Sequence, residues 1–168
     1  PEDCDALAKA VMERMTLDEK LEQLSGDLNT ARFSFRYAVG MKLGGGIPLI
    51  YSGLNRRLGI PPLAFSDGPR GVNVGQNKTC FPVTMARGAS FDPELERAVG
   101  VAIGRETRAS GANYSGAVCV NLLRHPGWGR AQETYGEDPY HMGKMGVALT
   151  EGIQSTNVMA CVKHFALN

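Results

Sequence analysis

The feature that most constrains the fold of this chain is a repeated alternation of short apolar runs with longer amphipathic segments. Three runs, at 63–66, 117–123 and 158–165, have the apolar content of buried strands. The two longer segments between them repeat their apolar residues every three or four positions, which is the spacing of one helix face. Strands that alternate with helices of this length predict a parallel sheet joined by right-handed crossovers.

Both of these helices carry a start signal. Asp92 precedes Pro93 and Asp138 precedes Pro139, so each helix has an N-capping carboxylate followed by proline at its first helical position. Gly111 is the predicted end of the first helix. The predicted buried faces consist of Leu95, Ala98, Val99, Ala102 and Ile103 in the first helix and of Met142, Met145, Leu149 and Ile153 in the second.

The region before the first buried run is predicted to be mostly helical. Apolar residues at positions 7, 11 and 15 indicate one helix, and a capping box of Thr16 and Glu19 begins a second. Residues 27–45 show no clear pattern, except that the glycines at 44–46 indicate a turn into a strand at 47–50. Residues 52–58 fit a short helix.

The length of the chain indicates only part of a barrel. About four strands can be counted in 168 residues, whereas a complete (β/α)8 barrel takes roughly 250 residues. The predicted fold is therefore α/β: an incomplete (β/α)8 TIM-type barrel, about its first half. Residues 1–45 form its N-terminal helical lead-in and residues 46–168 its βα units. Because half a barrel leaves open sheet edges, we expect the chain to need the rest of its fold, either as an excerpt of a longer protein or beside a second chain.

Charge and cysteine pattern exclude several classes of function. A net charge of +1 gives no reason to expect a nucleic acid, and no apolar run is long enough to span a membrane. The four cysteines form no C-x-x-C pair and the three histidines lack ligand spacing, so neither a metal site nor a cofactor is predicted. Glycosylation acceptors at Asn77 and Asn113 are a weak sign of a secreted or periplasmic protein, and the sequence leaves the cytoplasm open.

Polar side chains gather where the predicted strands end, which is where a parallel barrel has its active site. Asp67 follows the first run, Arg124 follows the second, and Lys163 and His164 close the third, with Arg130 in the loop after the second. Carboxylates accept hydrogen bonds from hydroxyl groups, and Arg and Lys donate to their oxygens. This set of residues therefore suits a polyhydroxylated ligand.

Each of these residues also has a purely structural interpretation. Asp67 with the glycine after it could form a tight turn, and the two interpretations are about even. Arg124 and Arg130 could be solvated loop cations. A histidine placed like His164 is more often a satisfied core residue, but the lysine beside it favours function. Trp128 could stack on the ligand or anchor its loop, and the glycines on both sides favour the anchor.

Four motifs, in their order and spacing, resemble the barrel domain of glycoside hydrolase family 3. They are Met-Thr-Leu-Asp-Glu-Lys at 15–20, Ser-Asp-Gly-Pro with Gly-Val at 66–72, the run from Asn121 through Arg130 to Pro139, and Lys-His-Phe at 163–165. Each motif is weak by itself, but their order across nearly the whole chain makes the resemblance specific.

The resemblance implies a retaining β-glycosidase that removes a sugar, most often glucose, from the non-reducing end of a β-glucoside or oligosaccharide. In that family the terminal sugar is held by groups that match Asp67, Arg130, Lys163 and His164. We predict that Glu133 and Arg124 lie behind these residues, with Glu133 orienting Arg130 or Lys163 through an ion pair.

Two positions refine the resemblance. Many relatives carry Arg six residues after the sugar-binding Asp, where this chain has Asn73, although Arg70 lies nearby. The ending Lys-His-Phe-Ala-Leu-Asn lacks the Pro-Gly-His-Gly typical of the N-acetylglucosaminidase branch. It resembles the β-glucosidase and β-xylosidase branch, which favours a plain hexose or pentose.

The catalytic groups that the resemblance implies are not predicted within this chain. Retaining hydrolysis uses two carboxyl groups about 5–5.5 Å apart, and in the resembled family the nucleophilic Asp and the acid/base lie further along. A carboxylate placed like Glu133, among cations, does not suit a proton donor. We therefore expect the isolated 168-residue chain to lack glycosidase activity. The missing groups come from the C-terminal part of the same protein or from a second chain, and a non-catalytic carbohydrate-binding fragment is the remaining alternative.

Overall fold

Four strands form a single sheet in the part of the chain that the computed structural model describes, residues 3–26, 30–43, 48–75, 77–165 and 168. The strands lie side by side in chain order and are β1 (Ile50–Ser52), β2 (Leu63–Ser66), β3 (Tyr114–Cys119) and β4 (Met159–Lys163). The helices are α1 (Cys4–Glu13), α2 (Leu17–Glu22), α3 (Thr30–Lys42), α4 (Thr84–Gly88), α5 (Pro93–Ala109) and α6 (Pro139–Gln154), and a 3-10 turn covers Ala131–Glu133. Within these ranges, no helix has the length and apolar content needed to cross a bilayer.

The predicted parallel arrangement is confirmed for β2, β3 and β4. β2 pairs with β3 through Phe65 and Tyr114, and β3 pairs with β4 as far as Cys119 and Lys163. Helices α5 and α6 connect these strands, pack on each other and cover β3. The fully buried residues of this core include Ile103, Ala117, Val118, Met145, Leu149 and Ile153.

Both predicted helix starts are confirmed. The Asp92 carboxylate accepts a hydrogen bond from Leu95 N at 3.0 Å, and the Asp138 carboxylate accepts one from His141 N at 2.7 Å. Just beyond the end of α5, Gly111 takes a left-handed φ of 80°, as the predicted stop signal requires.

The first strand pair departs from the prediction of a parallel sheet. β1 and β2 are antiparallel, with Ile50 opposite Phe65 and Ser52 opposite Leu63. Too few residues separate the two strands for the crossover of a dozen or more that a parallel pair needs. β1 also begins later than the predicted strand at 47–50. The predicted turn at 44–46 lies outside the described residues.

The short helix predicted over 52–58 is wrong. Asn55 and Ile60 form an antiparallel bridge instead, with backbone N–O distances of 3.1 and 2.9 Å. The buried Asn55 side chain accepts a hydrogen bond from Leu58 N at 2.9 Å, and Gly59 takes a left-handed φ of 70°. Asparagine and glycine therefore form a turn that outweighs the local helix propensity.

Several boundaries also differ from the predicted ones. β3 begins before the run at 117–123 and ends inside it, and β4 is shorter than the run at 158–165. Helix α3 covers part of the region without a clear pattern. Helix α4 was not predicted because its five residues are too few to leave a periodic signal.

The two helices predicted near the start are present as α1 and α2. In the capping box of α2, Thr16 Oγ1 accepts from Glu19 N at 3.2 Å and the Glu19 carboxylate accepts from Thr16 N at 2.9 Å. Neither helix buries a residue. Arg57 pairs with Glu19 at 2.5 Å, which joins α2 to the connection between β1 and β2.

Helices α5 and α6 approach closely because glycines lie at their contact. A Cβ on Gly100 would lie 2.6 Å from Leu149 O, and a Cβ on Gly152 would lie 2.3 Å from Arg97 O. Both obstacles are backbone atoms, which cannot move aside without shifting a helix. These two glycines therefore set the distance between the helices that cover β3.

We predict that Gly152→Ala lowers the free energy of unfolding by about 1–3 kcal/mol, because the added methyl group forces α5 and α6 apart. Gly143→Ala is the matched control on α6, since nothing lies within 4 Å of a Cβ there. The control should leave stability unchanged or raise it by up to about 1 kcal/mol. Urea unfolding followed by circular dichroism measures both variants, and equal effects would contradict the close helix contact.

Candidate functional site

The candidate site lies at the edge of the sheet where β2, β3 and β4 end. Asp67 directly follows β2, Lys163 is the last residue of β4, and His164 follows it. Arg130 and Glu133 lie in the loop between β3 and α6. These five residues are called the charged cluster below. Since the three strands are parallel, their carboxyl ends share one edge, which is where ligands bind in α/β sheets.

Asp67 and Lys163 form an ion pair across this edge. Lys163 Nζ donates to Asp67 Oδ1 at 2.7 Å. The Lys163 side chain is 14% exposed, whereas the Asp67 side chain is 49% exposed. The lysine is therefore covered, and the carboxylate remains accessible to hydrogen-bond donors of a ligand.

Asp67 also begins a tight turn, as one of its two sequence-based interpretations predicted. Its carbonyl oxygen accepts from Asn73 N at 3.0 Å, and Gly68 O accepts from Gly71 N at 3.1 Å. Gly68 has a φ of 143°, and a Cβ there would lie only 1.6 Å from Gly71 O. Only glycine fits this position, and the turn it permits fixes the direction of Asp67.

Arg130 is held by Glu133 in a two-point ion pair. The 3-10 turn places the two residues close together, and the Glu133 carboxylate accepts from Arg130 Nε at 2.9 Å and from Nη2 at 2.5 Å. The hydrogen bond from Arg130 holds the pKa of Glu133 below its usual range, although partial burial acts in the opposite direction. The sequence left either Arg130 or Lys163 as the ion-pair partner of Glu133. In the structure this partner is Arg130.

His164 lies between Arg130 and Asn121. Its Nε2 is 3.0 Å from Arg130 Nη1, and its Nδ1 is 2.8 Å from Asn121 Oδ1. Arginine can only donate, so Nε2 accepts from Arg130 and the ring proton is on Nδ1. The peptide bond between Lys163 and His164 is cis.

The surroundings of His164 favour its neutral form. Burial lowers the pKa of His164, and the charges of Arg130 and Lys163 lower it further. The carboxylates of Glu133 and Asp67 act in the opposite direction but do not reverse the shift. His164 is therefore a neutral hydrogen-bonding group at pH 7.

A buried ion pair supports both loops of the site. Arg87 donates to the Glu96 carboxylate at 2.8 and 3.0 Å, and the two side chains are 3% and 1% exposed. Arg87 also donates to Pro69 O at 3.2 Å, in the loop after β2. Tyr135 donates to Glu96 at 2.6 Å from the loop after the 3-10 turn. One buried network thus connects the loop that carries Asp67 with the loop that carries the Arg130–Glu133 pair.

A cavity of about 410 Å³ opens onto Asp67, Arg130 and Glu133. Gln132 and the loop residues 68–73 and 78–80 line the rest of it, so both Arg70 and Asn73 face this cavity. Its volume lies within the range of small-molecule sites.

Arg124 shares a cavity with His164 but is not part of the cavity beside Asp67. It lines a second cavity, of about 460 Å³, together with His164, Trp128 and others. Among the residues that the structure describes, it forms no ion pair with the charged cluster. Its role behind the sugar-binding residues stays a prediction.

Asn121 is a site residue that sequence reasoning did not single out. Its Oδ1 accepts from His164 N at 3.0 Å as well as facing the ring, and its Nδ2 donates to His164 O at 3.2 Å. The sequence signals were an amide at the end of an apolar run and its place as the first residue of the third motif. Such an amide needs hydrogen-bond partners, but the sequence does not say which.

The charged cluster can bind hydroxyl groups but offers no proton donor of the kind acid catalysis needs. Asp67 supplies an accessible acceptor and Arg130 supplies donors, both held by a partner of opposite charge. Glu133 is kept ionised by Arg130, and His164 is neutral. In the described ranges, no group of three or more metal-binding side chains is present.

Comparison with known proteins identifies relatives of the chain. Residues 51–168 match the model of the glycosyl hydrolase family 3 N terminal domain. A beta-glucosidase of Rhizobium radiobacter is 35% identical over 164 residues, which cover 94% of this chain and 18% of the relative. Probable beta-glucosidase F of Emericella nidulans is 42% identical over 113 residues, which cover 67% of this chain and 13% of the relative.

Solved structures share the fold. Beta-glucosidase 3B from Thermotoga neapolitana, in complex with alpha-D-glucose, superimposes with a TM-score of 0.80 at 30% identity, covering 94% of this chain and 22% of that one. DesR, a beta-glucosidase from Streptomyces venezuelae in complex with D-glucose, gives a TM-score of 0.79 at 32% identity, covering 95% and 19%. The chain therefore spans less than a quarter of each of these proteins.

We predict that Glu133→Gln lowers the free energy of unfolding at pH 7 by about 1–3 kcal/mol, because Arg130 loses a two-point, partly buried partner. The folded-state pKa of Glu133 lies below its unfolded value of about 4.3. Its contribution is therefore complete above the unfolded value and is lost as the pH falls through the folded value. The difference in stability between wild type and variant should shrink below about pH 4.

Glu151→Gln is the control for this substitution, because the Arg97–Glu151 pair is 4.0 Å long and its side chains are 55% and 62% exposed. It should change stability by less than about 0.5 kcal/mol at either pH. Urea unfolding at pH 7 and pH 3 compares the three proteins. A gap between wild type and Glu133→Gln that does not change with pH would contradict the predicted titration.

Proposed function

The chain belongs to glycosyl hydrolase family 3, and we propose that it forms the N-terminal part of the barrel domain of a retaining β-glycosidase. The enzyme is exo-acting and β-glucosidase-like, and hydrolyses the non-reducing-end sugar of β-glucosides or oligosaccharides. The observation that carries this proposal is the charged cluster, whose linked side chains meet at the carboxyl edge of the sheet beside a cavity of about 410 Å³.

In this proposal the chain supplies the sugar-binding half of the site. Asp67 accepts hydrogen bonds from sugar hydroxyls, because about half of its side chain is accessible. Arg130, held by Glu133, donates to hydroxyl oxygens. Lys163, paired with Asp67, and His164, paired with Arg130, are assigned to the same sugar-binding set. Hydrogen bonds to charged groups are the strong ones, and those to sugar hydroxyls tighten as the ring gains positive charge in the transition state.

In the same proposal, the whole chain is the first part of a barrel domain. Residues 1–45 form a helical lead-in and residues 46–168 the first βα units, about half of an eight-stranded barrel. Two observations support this division: the parallel sheet of β2, β3 and β4, and the small share of each relative that the chain spans. The other half of the barrel closes the sheet and completes the site.

The nucleophile and the acid/base belong to the part of the enzyme outside this chain. Retaining hydrolysis needs one ionised carboxylate that attacks and one carboxylic acid that protonates the leaving oxygen. Glu133 is kept ionised by Arg130, so it cannot serve as the acid at neutral pH. Asp67 is engaged by Lys163, which suits binding.

The relatives support a glucose-like sugar as the substrate. The named sequence relatives are called beta-glucosidases or probable beta-glucosidases, and both structural relatives were solved with glucose. Asn73 stands where the resemblance implies arginine, but Arg70 lines the same cavity and offers a cation there. No cofactor is needed for this chemistry.

We predict that the full-length polypeptide carrying this sequence hydrolyses p-nitrophenyl β-D-glucoside, whereas the isolated 168-residue chain does not. Proton NMR of the first-formed glucose should show the β-anomer, because a covalent intermediate preserves the configuration. Turnover by the purified 168-residue chain would contradict the proposed division of the site. The α-anomer as first product would contradict retention.

The mass of the native polypeptide separates the alternatives. A mass several times 18.0 kDa supports the proposed large hydrolase. A mass near 18.0 kDa indicates a half-enzyme if a second chain restores hydrolysis, and a carbohydrate-binding fragment if glucose binds without any such chain.

We predict that Asp67→Asn lowers kcat/KM of the full-length enzyme on the aryl glucoside by about ten- to a hundredfold, because hydrogen bonds to its charge are lost in the transition state. Asp18→Asn is the control, since Asp18 is an exposed residue in the first turn of α2. It should leave kcat/KM unchanged. The same loss in both variants, or none in Asp67→Asn, would remove Asp67 from the binding site.

A further inference from the structure

We propose that Asn121 is a positioning residue that fixes which ring nitrogen of His164 carries the proton, and so keeps Nε2 as the acceptor for Arg130. The hydrogen-bond assignment stands on the geometry of these three residues. Its consequence for hydrolysis rests on the proposed function.

The Asn121 amide makes three contacts with the same residue. Its Oδ1 accepts from His164 N at 3.0 Å and lies 2.8 Å from the ring atom Nδ1, and its Nδ2 donates to His164 O at 3.2 Å. A planar amide carries an acceptor on one side and donors on the other. Asn121 therefore binds the backbone of His164 on both sides and its ring at once.

These contacts leave only one orientation for the amide. The backbone N–H of His164 can only donate and its carbonyl can only accept. Oδ1 of Asn121 must therefore face the N–H, and Nδ2 must face the carbonyl. Because Oδ1 is also the atom that faces Nδ1, the ring proton has to be on Nδ1.

Asn121 is itself held in place by the loop that carries Glu133 and, through the residue before it, by the end of β4. Its backbone oxygen accepts a hydrogen bond from Thr134 Oγ1, next to Glu133 in the chain. The preceding residue, Val120, donates its N–H to Lys163 O at 2.9 Å. Thr134 is fully buried, so this anchor is shielded from water. The amide is thus rigid relative to both the ring and the Arg130–Glu133 pair.

The tautomer matters because Arg130 has no acceptor to offer. With the proton on Nδ1, Nε2 of His164 accepts a hydrogen bond from Arg130 Nη1 at 3.0 Å. Glu133 binds the other two nitrogens of the guanidinium, Nε and Nη2, so Arg130 is held by both residues. A proton on Nε2 would put two donors face to face, and Arg130 would have to move. Asn121 thus acts on Arg130 through His164.

Charge and tautomer of His164 are controlled by different groups. Arg130 and Lys163 disfavour the protonated ring, while Glu133 and Asp67 favour it less strongly. Of these four groups, only Arg130 also affects which nitrogen carries the proton in the neutral ring, because it can only donate to Nε2. Asn121 favours the same tautomer from the other side of the ring, because its Oδ1 accepts the proton on Nδ1.

Asn121→Asp tests the proposal with a side chain of almost the same shape. The carboxylate keeps an acceptor at Nδ1 but removes the Nδ2 donor and adds a negative charge beside the ring. That charge stabilises the imidazolium, so Nε2 becomes a donor that faces Arg130. In the full-length enzyme we expect kcat/KM at neutral pH to fall by about tenfold or more, with its acid limb moved to higher pH.

Asn113→Asp is the matched control, because Asn113 bridges backbone groups in the same way at the opposite end of β3. Its Oδ1 accepts from Ala64 N at 2.8 Å and its Nδ2 donates to Pro62 O at 3.1 Å. If Asn121 merely ties down the backbone, both substitutions should lower stability to a similar extent, and the neutral wild-type ring need not carry its proton on Nδ1.

The deciding measurement is 15N NMR of the imidazole rings in the full-length wild type and in both variants across pH. We expect the neutral ring of His164 to carry its proton on Nδ1 in wild type and in Asn113→Asp, and to protonate at higher pH in Asn121→Asp. A wild-type ring protonated mainly on Nε2 overturns the proposal without any variant. So does a titration of His164 that Asn121→Asp leaves unchanged. Absence of glucoside hydrolysis by wild type would overturn the proposed function instead and leave the NMR result to stand.

Discussion

Two charges are buried beneath the candidate site, on Arg87 and Glu96, and each is satisfied only by groups that belong to the surrounding loops and helices. Arg87 binds Glu96 and the carbonyl oxygens of Pro69 and Pro82, while Glu96 also accepts from Tyr135. Removing one partner of such a buried pair leaves an uncompensated charge, at a cost of about 3–5 kcal/mol. The loop that follows Asp67 and the loop that follows the Arg130–Glu133 pair therefore cannot shift independently, and the spacing of the charged cluster depends on this pair.

The charged cluster is also held together by ion pairs, but these are more exposed to solvent than the Arg87–Glu96 pair. In each of its ion pairs one partner is covered and the other is more accessible: Lys163 is 14% exposed against 49% for Asp67, and Glu133 is 19% exposed against 35% for Arg130. The covered partner fixes the geometry and the accessible partner faces the cavity. The site thus presents both an accessible anion, Asp67, and an accessible cation, Arg130, to a ligand. This combination suits a neutral molecule rich in hydroxyl groups better than an ion of either sign.

Local rules were sufficient to predict the helices that begin with Asp92 and Asp138 and the parallel strands between which they lie. They failed where turn residues or a short connection outweigh the apolar pattern, and where a contact across the fold decides the outcome. The segment around Asn55 forms a turn because its side chain and Gly59 favour one, and β1 is antiparallel because its connection to β2 is short. In the site, strand ends pointed to Asp67 and Lys163, but the bridging position of Asn121 depends on a partner 43 residues away.

In the proposed enzyme, the charges of Lys163 and Arg130 also limit where the catalytic acid can lie. A carboxylic acid that stays protonated near neutral pH needs a raised pKa, which comes from burial among apolar groups or from a neighbouring negative charge. Lys163 and Arg130 have the opposite effect, as the lowered pKa of Glu133 demonstrates. A proton donor beside the charged cluster would be ionised by these two cations. In the proposed enzyme, the acid therefore has to approach the glycosidic oxygen from a direction that these two side chains do not reach. The nucleophile has no such restriction, because an ionised carboxylate is stabilised by the same cations.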